Sequence, residues 1–277
     1  QYLRTMSSVK KRLPAYYIPH GGGPWPFMME DFGGRQAWEP LIAHLEEIGE
    51  IARKRAKALL VISAHWEEPV PTVHFGSAPG MLYDYYGFPE HTYRLSWPAP
   101  GAPDVARRVD ELLRGAGIET GREEERGYDH GLFVPMMVAL PEAKIPVAQL
   151  SLVAGLDPAT HLAVGKALAP LRDEGVLIIG SGFSYHNLRM FGDPRARPAS
   201  ERFDEWLRAA AGHPDPVERD RLLAAWESAP DARACHPRSE HLVPIFVAAG
   251  AGGAEPGRCA FSGPVMGVRT SSFAFGG

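Results

Sequence analysis

Histidine is the residue whose placement carries chemical information in this sequence. His20 follows an apolar run and opens Gly21-Gly22-Gly23-Pro24, and His65 follows Ala58–Ser63 inside Ser63-Ala64-His65-Trp66-Glu67. His130 lies in Tyr128-Asp129-His130-Gly131, His186 follows Gly180-Ser181-Gly182-Phe183-Ser184-Tyr185, and His241 lies in Ser239-Glu240-His241-Leu242-Val243-Pro244. Imidazole binds zinc, copper, iron and nickel, and an unperturbed pKa of about 6.5 also lets it give or take a proton at neutral pH. Any one of these residues, taken alone, is more often a hydrogen-bonded turn or core histidine than a ligand, because functional sites are few per protein. Five of them in Gly- or Pro-marked turns at element ends form a set. The chemistry that set supports is a mononuclear metal centre built mainly from histidine.

Other chemistries fit less well. Only 2 cysteines, Cys235 and Cys259, occur in 277 residues, which argues against a disulfide scaffold and a thiolate zinc cluster. A metal would then be held by imidazole and carboxylate. Cys235-His236 lacks a second Cys at zinc-site spacing and reads as a turn. His44 and His161 sit inside helical patterns, while His74, His91, His213 and His236 have polar or proline-rich neighbours, so these six stay outside the set. No Lys-Ser/Thr follows Gly21-Gly22-Gly23, and no G-x-G-x-x-G opens a helix, which removes the common phosphate-binding loops. Gly180-Ser181-Gly182 does not complete the G-x-S-x-G of a nucleophile elbow.

The elements that must position these histidines follow from periodicity. Ala15–Ile18, Ala58–Ser63, Ile145–Leu152 and Val176–Ile179 read as strands. Leu41, Leu45, Ile48 and Ile51 mark one helix face, Val105, Val109, Leu112 and Leu113 a second, and Leu162, Leu168 and Leu171 a third. Alternating strands and helices imply an α/β fold, with a central mixed, largely parallel sheet flanked by helices. In such sheets ligands bind outside the carboxyl ends of the strands, so His20, His65 and His186 can converge there. Pro244 is tolerated in the first turn of a helix, which places Glu240 and His241 at or just before that helix. Being adjacent, the two point in different directions. Glu201–Trp226 reads as helical with Phe203, Trp206 and Leu207 inward, and Arg258–Phe275 as a hairpin or pair of edge strands around Gly263-Pro264. We expect one domain over residues 13–277, with 1–12 an N-terminal extension.

Composition sets the partner class. A formal net charge of −4, with 45% hydrophobic and 22% charged residues, gives no basic footprint for nucleic acid or an anionic membrane. No apolar run reaches the roughly twenty residues a membrane helix needs, and Gln1–Arg12 lacks a signal-peptide core. The expectation is a cytoplasmic protein acting on a small molecule, with homo-oligomers left open. Tyr83, Tyr85, Tyr86, Phe88 and Trp97 form either a lid over an aromatic substrate or a loop packed onto the core.

Between His20 and Pro244 the ordered motifs are a histidine in a Gly turn, S-A-H-W-E, Y-D-Y-Y-G-F-P, Y-D-H-G-x-F-V-P, G-S-G-x-x-x-H-N and E-H-x-x-P. Together they resemble the class III (LigB-type) extradiol ring-cleavage dioxygenases, in their DOPA 4,5-dioxygenase-like branch. The resemblance implies oxygen-dependent cleavage of a catechol, with His20, His65 and His241 as metal ligands and His130 and His186 as acid–base residues around them. Glu240, which corresponds to a ligand in related branches, and His186 are rival or additional ligands. Fe(II) is implied for activity, with Zn(II) expected in purified protein. Where many relatives have S-H-G-S-P, this chain has Pro19-His20-Gly21-Gly22-Gly23-Pro24-Trp25-Pro26, so Trp25 and Phe27 are expected to shape the substrate pocket.

The chemistry agrees with that implication. Non-haem Fe(II) oxygenases hold iron by three facial ligands and leave positions open, enough for a catechol and O2. His186 would then take the second catechol proton, while His130 orients substrate or returns a proton. Two alternatives use the same residues: a zinc hydrolase of amides or esters, and a binding protein that keeps the fold without catalysis.

Overall fold

The computed structural model describes residues 11–277. In chain order the elements are β1 (Ala15–Pro19), α1 (Arg35–Arg55), β2 (Ala58–Glu68), β3 (Thr72–His74), α2 (Pro103–Gly115), β4 (Gly121–Glu123), α3 (His130–Ala139), β5 (Val147–Val153) and α4 (Pro158–Leu168). They continue as β6 (Val176–Gly182), α5 (Ala196–Ala211), α6 (Pro216–Ala224), α7 (Ala232–Cys235), α8 (Pro244–Gly252), β7 (Gly257–Val265) and β8 (Val268–Phe275). All eight strands form one sheet in the order β4-β3-β5-β2-β6-β1-β8-β7. The centre is parallel, through β5–β2, β2–β6 and β6–β1, while β3–β5, β1–β8 and β8–β7 are antiparallel. The expected α/β fold with a mixed sheet and covering helices is therefore the observed one. Parallel strands covered by helices on both faces read as near-continuous apolar runs, and β1 and β6 are buried at every residue.

Most of the expected 1–12 extension lies outside the described residues. Arg12 belongs to the packed structure, pairing with Asp173 at 2.9 Å and Glu255 at 3.1 Å.

Three sequence expectations shift. β2 runs on to Glu68, with an irregularity in its pairing to β5 between Ile62 and Glu67, so His65 lies inside the strand rather than after it. Leu171 falls in a 3₁₀ turn (Ala169–Arg172) beyond α4. The C-terminal hairpin turns at Met266-Gly267, not around Gly263-Pro264. Both turn residues have positive φ, 52° and 82°, the backbone that matches strand twist in two-residue hairpins. Pro264 instead pairs with Arg269 inside β7, tolerated there because β7 is the sheet edge. No helix among the described residues is long and apolar enough to cross a membrane.

His44 of α1 ties the helix to the sheet. Its Nε2 lies 2.8 Å from Ser272 Oγ, which donates to Tyr17 O at 2.7 Å. Burial, with a smaller contribution from Arg258, pushes its pKa down to about 4. Between that value and the ordinary one the unfolded chain binds the extra proton, so this group weakens the fold as pH drops. His44→Gln, which keeps a hydrogen-bonding side chain without titrating, should flatten the decline of thermal midpoint between about pH 6.5 and pH 4. Parallel melting curves for the two proteins across that window would exclude the assignment.

Candidate metal centre

The five histidines arrive from five places and meet at the carboxyl ends of the central strands. His20 directly follows β1, its backbone N–H donating to Gly182 O at 2.9 Å. His65 projects from the far part of β2, and His130 is the first residue of α3. His186 comes from the loop after β6, its N–H bonded to Cys235 O at 2.9 Å. His241 sits three residues before the proline that opens α8. A close backbone approach seats it: a Cβ on Gly182 would lie 2.1 Å from His241 O. Phe183 N–H and the Tyr17 hydroxyl both donate to that same carbonyl, at 3.0 and 2.7 Å. The glycines flanking Ser181 thus serve packing, and Ser181 itself is buried, its hydroxyl donating to Gly131 O.

Nε2 of His65 lies 3.2 Å from Nε2 of His20 and 3.2 Å from Nε2 of His241. An ion about 2.1 Å from each nitrogen would set such atoms roughly 3.0–3.4 Å apart, for angles from right to tetrahedral. The spacing therefore fits one shared ion. Two separate groups have ligand atoms mutually within 4.8 Å, His20 with His65 and His130, and His186 with Glu240 and His241. The short His65–His241 contact joins them into one cluster. The His186 ring stacks on His241 with centroids 3.4 Å apart, and the His130 ring lies 4.0 Å from that of His65.

Two carboxylates hold the outer nitrogens. Glu240 Oε1 lies 3.0 Å from His241 Nδ1 and 3.3 Å from His186 Nδ1. Asp84 Oδ1 lies 2.7 Å from His130 Nδ1 and accepts the His130 N–H at 2.9 Å, and its Oδ2 is 3.5 Å from His65 Nδ1. Asp84 stands in the Y-D-Y-Y-G-F-P motif, yet the sequence assigns it no role, its neighbours Tyr83 and Tyr85 reading as a lid or a core-packed loop. The available signal was an acid inside a tyrosine cluster, where a solvated face would not put one. Beneath it, buried Asp129 accepts from Ser63 Oγ at 2.7 Å and pairs with Arg126 at 3.0 Å, while Arg126 also donates to His65 O at 3.1 Å.

Electrostatics keep the inner rings neutral. Burial first, and the neighbouring histidines second, hold His20 and His241 well below the ordinary imidazole pKa. Burial and His130 push His65 down to about 3, against the opposing pull of Asp84. Burial alone would raise Asp84 and Glu240. Their hydrogen bonds, to His130 and His186 respectively, together with the electrostatic pull of those neighbouring rings and, for Glu240, of Arg238, outweigh it and hold both below the usual carboxylate range. Neutral imidazoles and ionised carboxylates are the forms that ligate metals.

A cavity of about 600 Å³ opens over the five rings. Trp25 and Phe27 do not shape it. Trp25 is fully buried, donating to His20 O at 2.8 Å and stacked on Trp38 at 4.2 Å, and Phe27 is 37% exposed. The walls come from Phe32, Phe88, Phe183, Leu188 and Phe191 instead. The aromatic cluster divides: Tyr85 and Phe88 line the cavity, Trp97 is core with its Nε1 donating to Leu140 O at 2.8 Å, and Tyr86 is 91% exposed.

The sheet brings histidine and carboxylate together at its strand ends, and comparison with known proteins supplies the class of enzyme to which that site belongs. Residues 14–270 match the family of the catalytic LigB subunit of aromatic ring-opening dioxygenase. The chain belongs to that family and is an extradiol aromatic ring-opening dioxygenase. Among its relatives, a 4,5-DOPA dioxygenase extradiol of Beta vulgaris is 42% identical over 86% of each chain. Another of that name from Escherichia coli is 33% identical over 95% of this chain and 93% of its own. A solved structure of an uncharacterized Escherichia coli protein superimposes with a TM-score of 0.73 at 28% identity, covering 96% of this chain and all of that one (100%).

Gly131 sits where His65 needs room. A Cβ there would meet Ser63 Oγ at 2.5 Å, His65 Cδ2 at 2.8 Å and Asp129 Oδ1 at 3.1 Å. Gly131→Ala should cost about 1–3 kcal/mol and lower the thermal midpoint by at least about 2 °C. A midpoint equal to wild type would mean that these three groups yield freely.

Proposed function

We propose that the enzyme opens a catecholic ring with O2 at an Fe(II) held by His20, His65 and His241. The observation that carries the reading is the set of inner Nε2 atoms spaced 3.2 Å apart about His65. Zinc fits the same nitrogens and is favoured over Fe(II) by the affinity order, so purified protein would carry some. When bound, Fe(II) supplies positions for both ring oxygens and for O2 and exchanges electrons between them. The relatives' names support a substituted catechol such as DOPA as substrate.

The chain's own residues supply orientation and protons. Glu240 contacts His241 at Nδ1, on the ring edge opposite Nε2, which favours Glu240 as the group that orients His241 over Glu240 as third ligand. His186 shares that carboxylate through its own Nδ1, leaving Nε2 to take the second catechol proton. His130 donates its Nδ1–H in a hydrogen bond to Asp84 and keeps Nε2 to orient the substrate hydroxyl or return a proton to the opened product. The apolar walls exclude water while the ring is broken.

Anaerobic reconstitution of metal-stripped protein with Fe(II) should restore O2 uptake and a yellow product with a catechol, where Zn(II) does not. His186→Ala should keep its metal but lose about 10²–10⁴ in turnover. Normal turnover by that variant would refute its role. Replacing Asp84 with Asn should lower metal affinity or activity by about 10–100-fold, read by competitive chelation alongside kinetics, and wild-type values for both would remove Asp84 from the site.

A further inference from the structure

The cavity over the histidines is larger than a bare catechol ring fills. Its volume of about 600 Å³ falls within the roughly 300–1,000 Å³ of small-molecule sites, which leaves room for a substituent on the ring. Among the described residues that line it, the acidic and basic side chains besides histidine are Glu67, Asp84, Glu240 and Arg238. Asp84 and Glu240 are engaged by histidine rings. Arg238 is the one lysine or arginine of that wall. It precedes His241 by three residues, and its partner Glu67 follows His65 by two, so both are fixed relative to the histidine cluster.

The pair has spare capacity of one kind. Arg238 Nη1 and Nη2 reach Glu67 Oε1 and Oε2 at 2.5 and 2.7 Å, so each carboxylate oxygen accepts one N–H of the guanidinium. A guanidinium carries five N–H donors, and this pairing uses two. Beyond it, Nη1 only approaches Glu240 Oε2, at 3.7 Å, and the Arg238 side chain is 58% exposed. The unused groups of the guanidinium are all donors.

We propose that Arg238 is a specificity-determining residue that receives the carboxylate of a catechol's side chain, with Glu67 holding the guanidinium toward the cavity. The assignment rests on the ring-opening reading above and extends it from the ring to the substituent. A planar guanidinium takes a carboxylate through paired, charge-assisted hydrogen bonds. A neutral substituent gains nothing from it, and a cationic one meets its repulsion.

The test is calorimetric binding to zinc-loaded protein of three catechols matched in size: 3,4-dihydroxyphenylpropionate, 4-propylcatechol and dopamine. Wild type should bind the anion about tenfold or more tighter than the neutral compound and bind dopamine most weakly. Arg238→Gln should collapse the anion-to-neutral ratio to about one, while Arg238→Lys, keeping charge without the fork, should retain part of it. The ratio is the informative readout, because loss of a merely structural Glu67–Arg238 bridge would weaken all three alike. A ratio that survives in Arg238→Gln, or uniform weakening, overturns the proposal. If iron-loaded wild type still opens 4-propylcatechol in that case, the ring-opening reading stands without it. If wild type neither binds nor opens any of the three, that reading fails and this one falls with it.

Discussion

Imidazole nitrogens 3.2 Å apart cannot all be protonated, because like charges at that distance in a buried site repel strongly. Every other part of the centre answers that constraint. The inner rings stay neutral through burial, and the outer nitrogens of His65, His130, His186 and His241 face carboxylates so that their remaining lone pairs point inward, while buried His20 Nδ1 has no partner. Asp84 and Glu240 do this for two histidines each. Charge thus lies in a ring of carboxylates around a neutral imidazole core, an arrangement to which a divalent cation brings the missing positive charge.

The sheet converts this local demand into a fold requirement. No short segment supplies five imidazoles, so the chain draws them from the ends of β1, β2 and β6 and from the starts of α3 and α8. Parallel strands running in one direction place their carboxyl ends on one rim. The helices that cover them bury the apolar runs and leave that rim to the loops. The cavity walls come from those loops and are apolar where the histidines are not.

Much of this was legible because it is periodic or local. The buried runs of β1 and β6, the helical spacing of Leu41 and Leu45, and the Gly- or Pro-marked settings of the five histidines are short-range signals, and the structure brings those five together. What the sequence hid depends on distant contacts. Asp84 lies 46 residues from the His130 it pairs with, and nothing local announces that meeting. Trp25 follows the histidine turn yet is drawn away by Trp38, since an indole finds more contact in the core than over a cavity. The hairpin turn was misplaced because Gly263-Pro264 is a strong turn signal in sequence, whereas an edge strand accommodates it.

His241 divides its labour between main chain and ring. Its carbonyl is a structural joint, taken by Phe183 N–H and the Tyr17 hydroxyl and pressed against the bare Cα of Gly182. Its imidazole is anchored separately, by Glu240. The splice between sheet and C-terminal helix is therefore blind to which side chain position 241 bears. A descendant of this chain could discard the ring, and the chemistry with it, and keep its architecture whole.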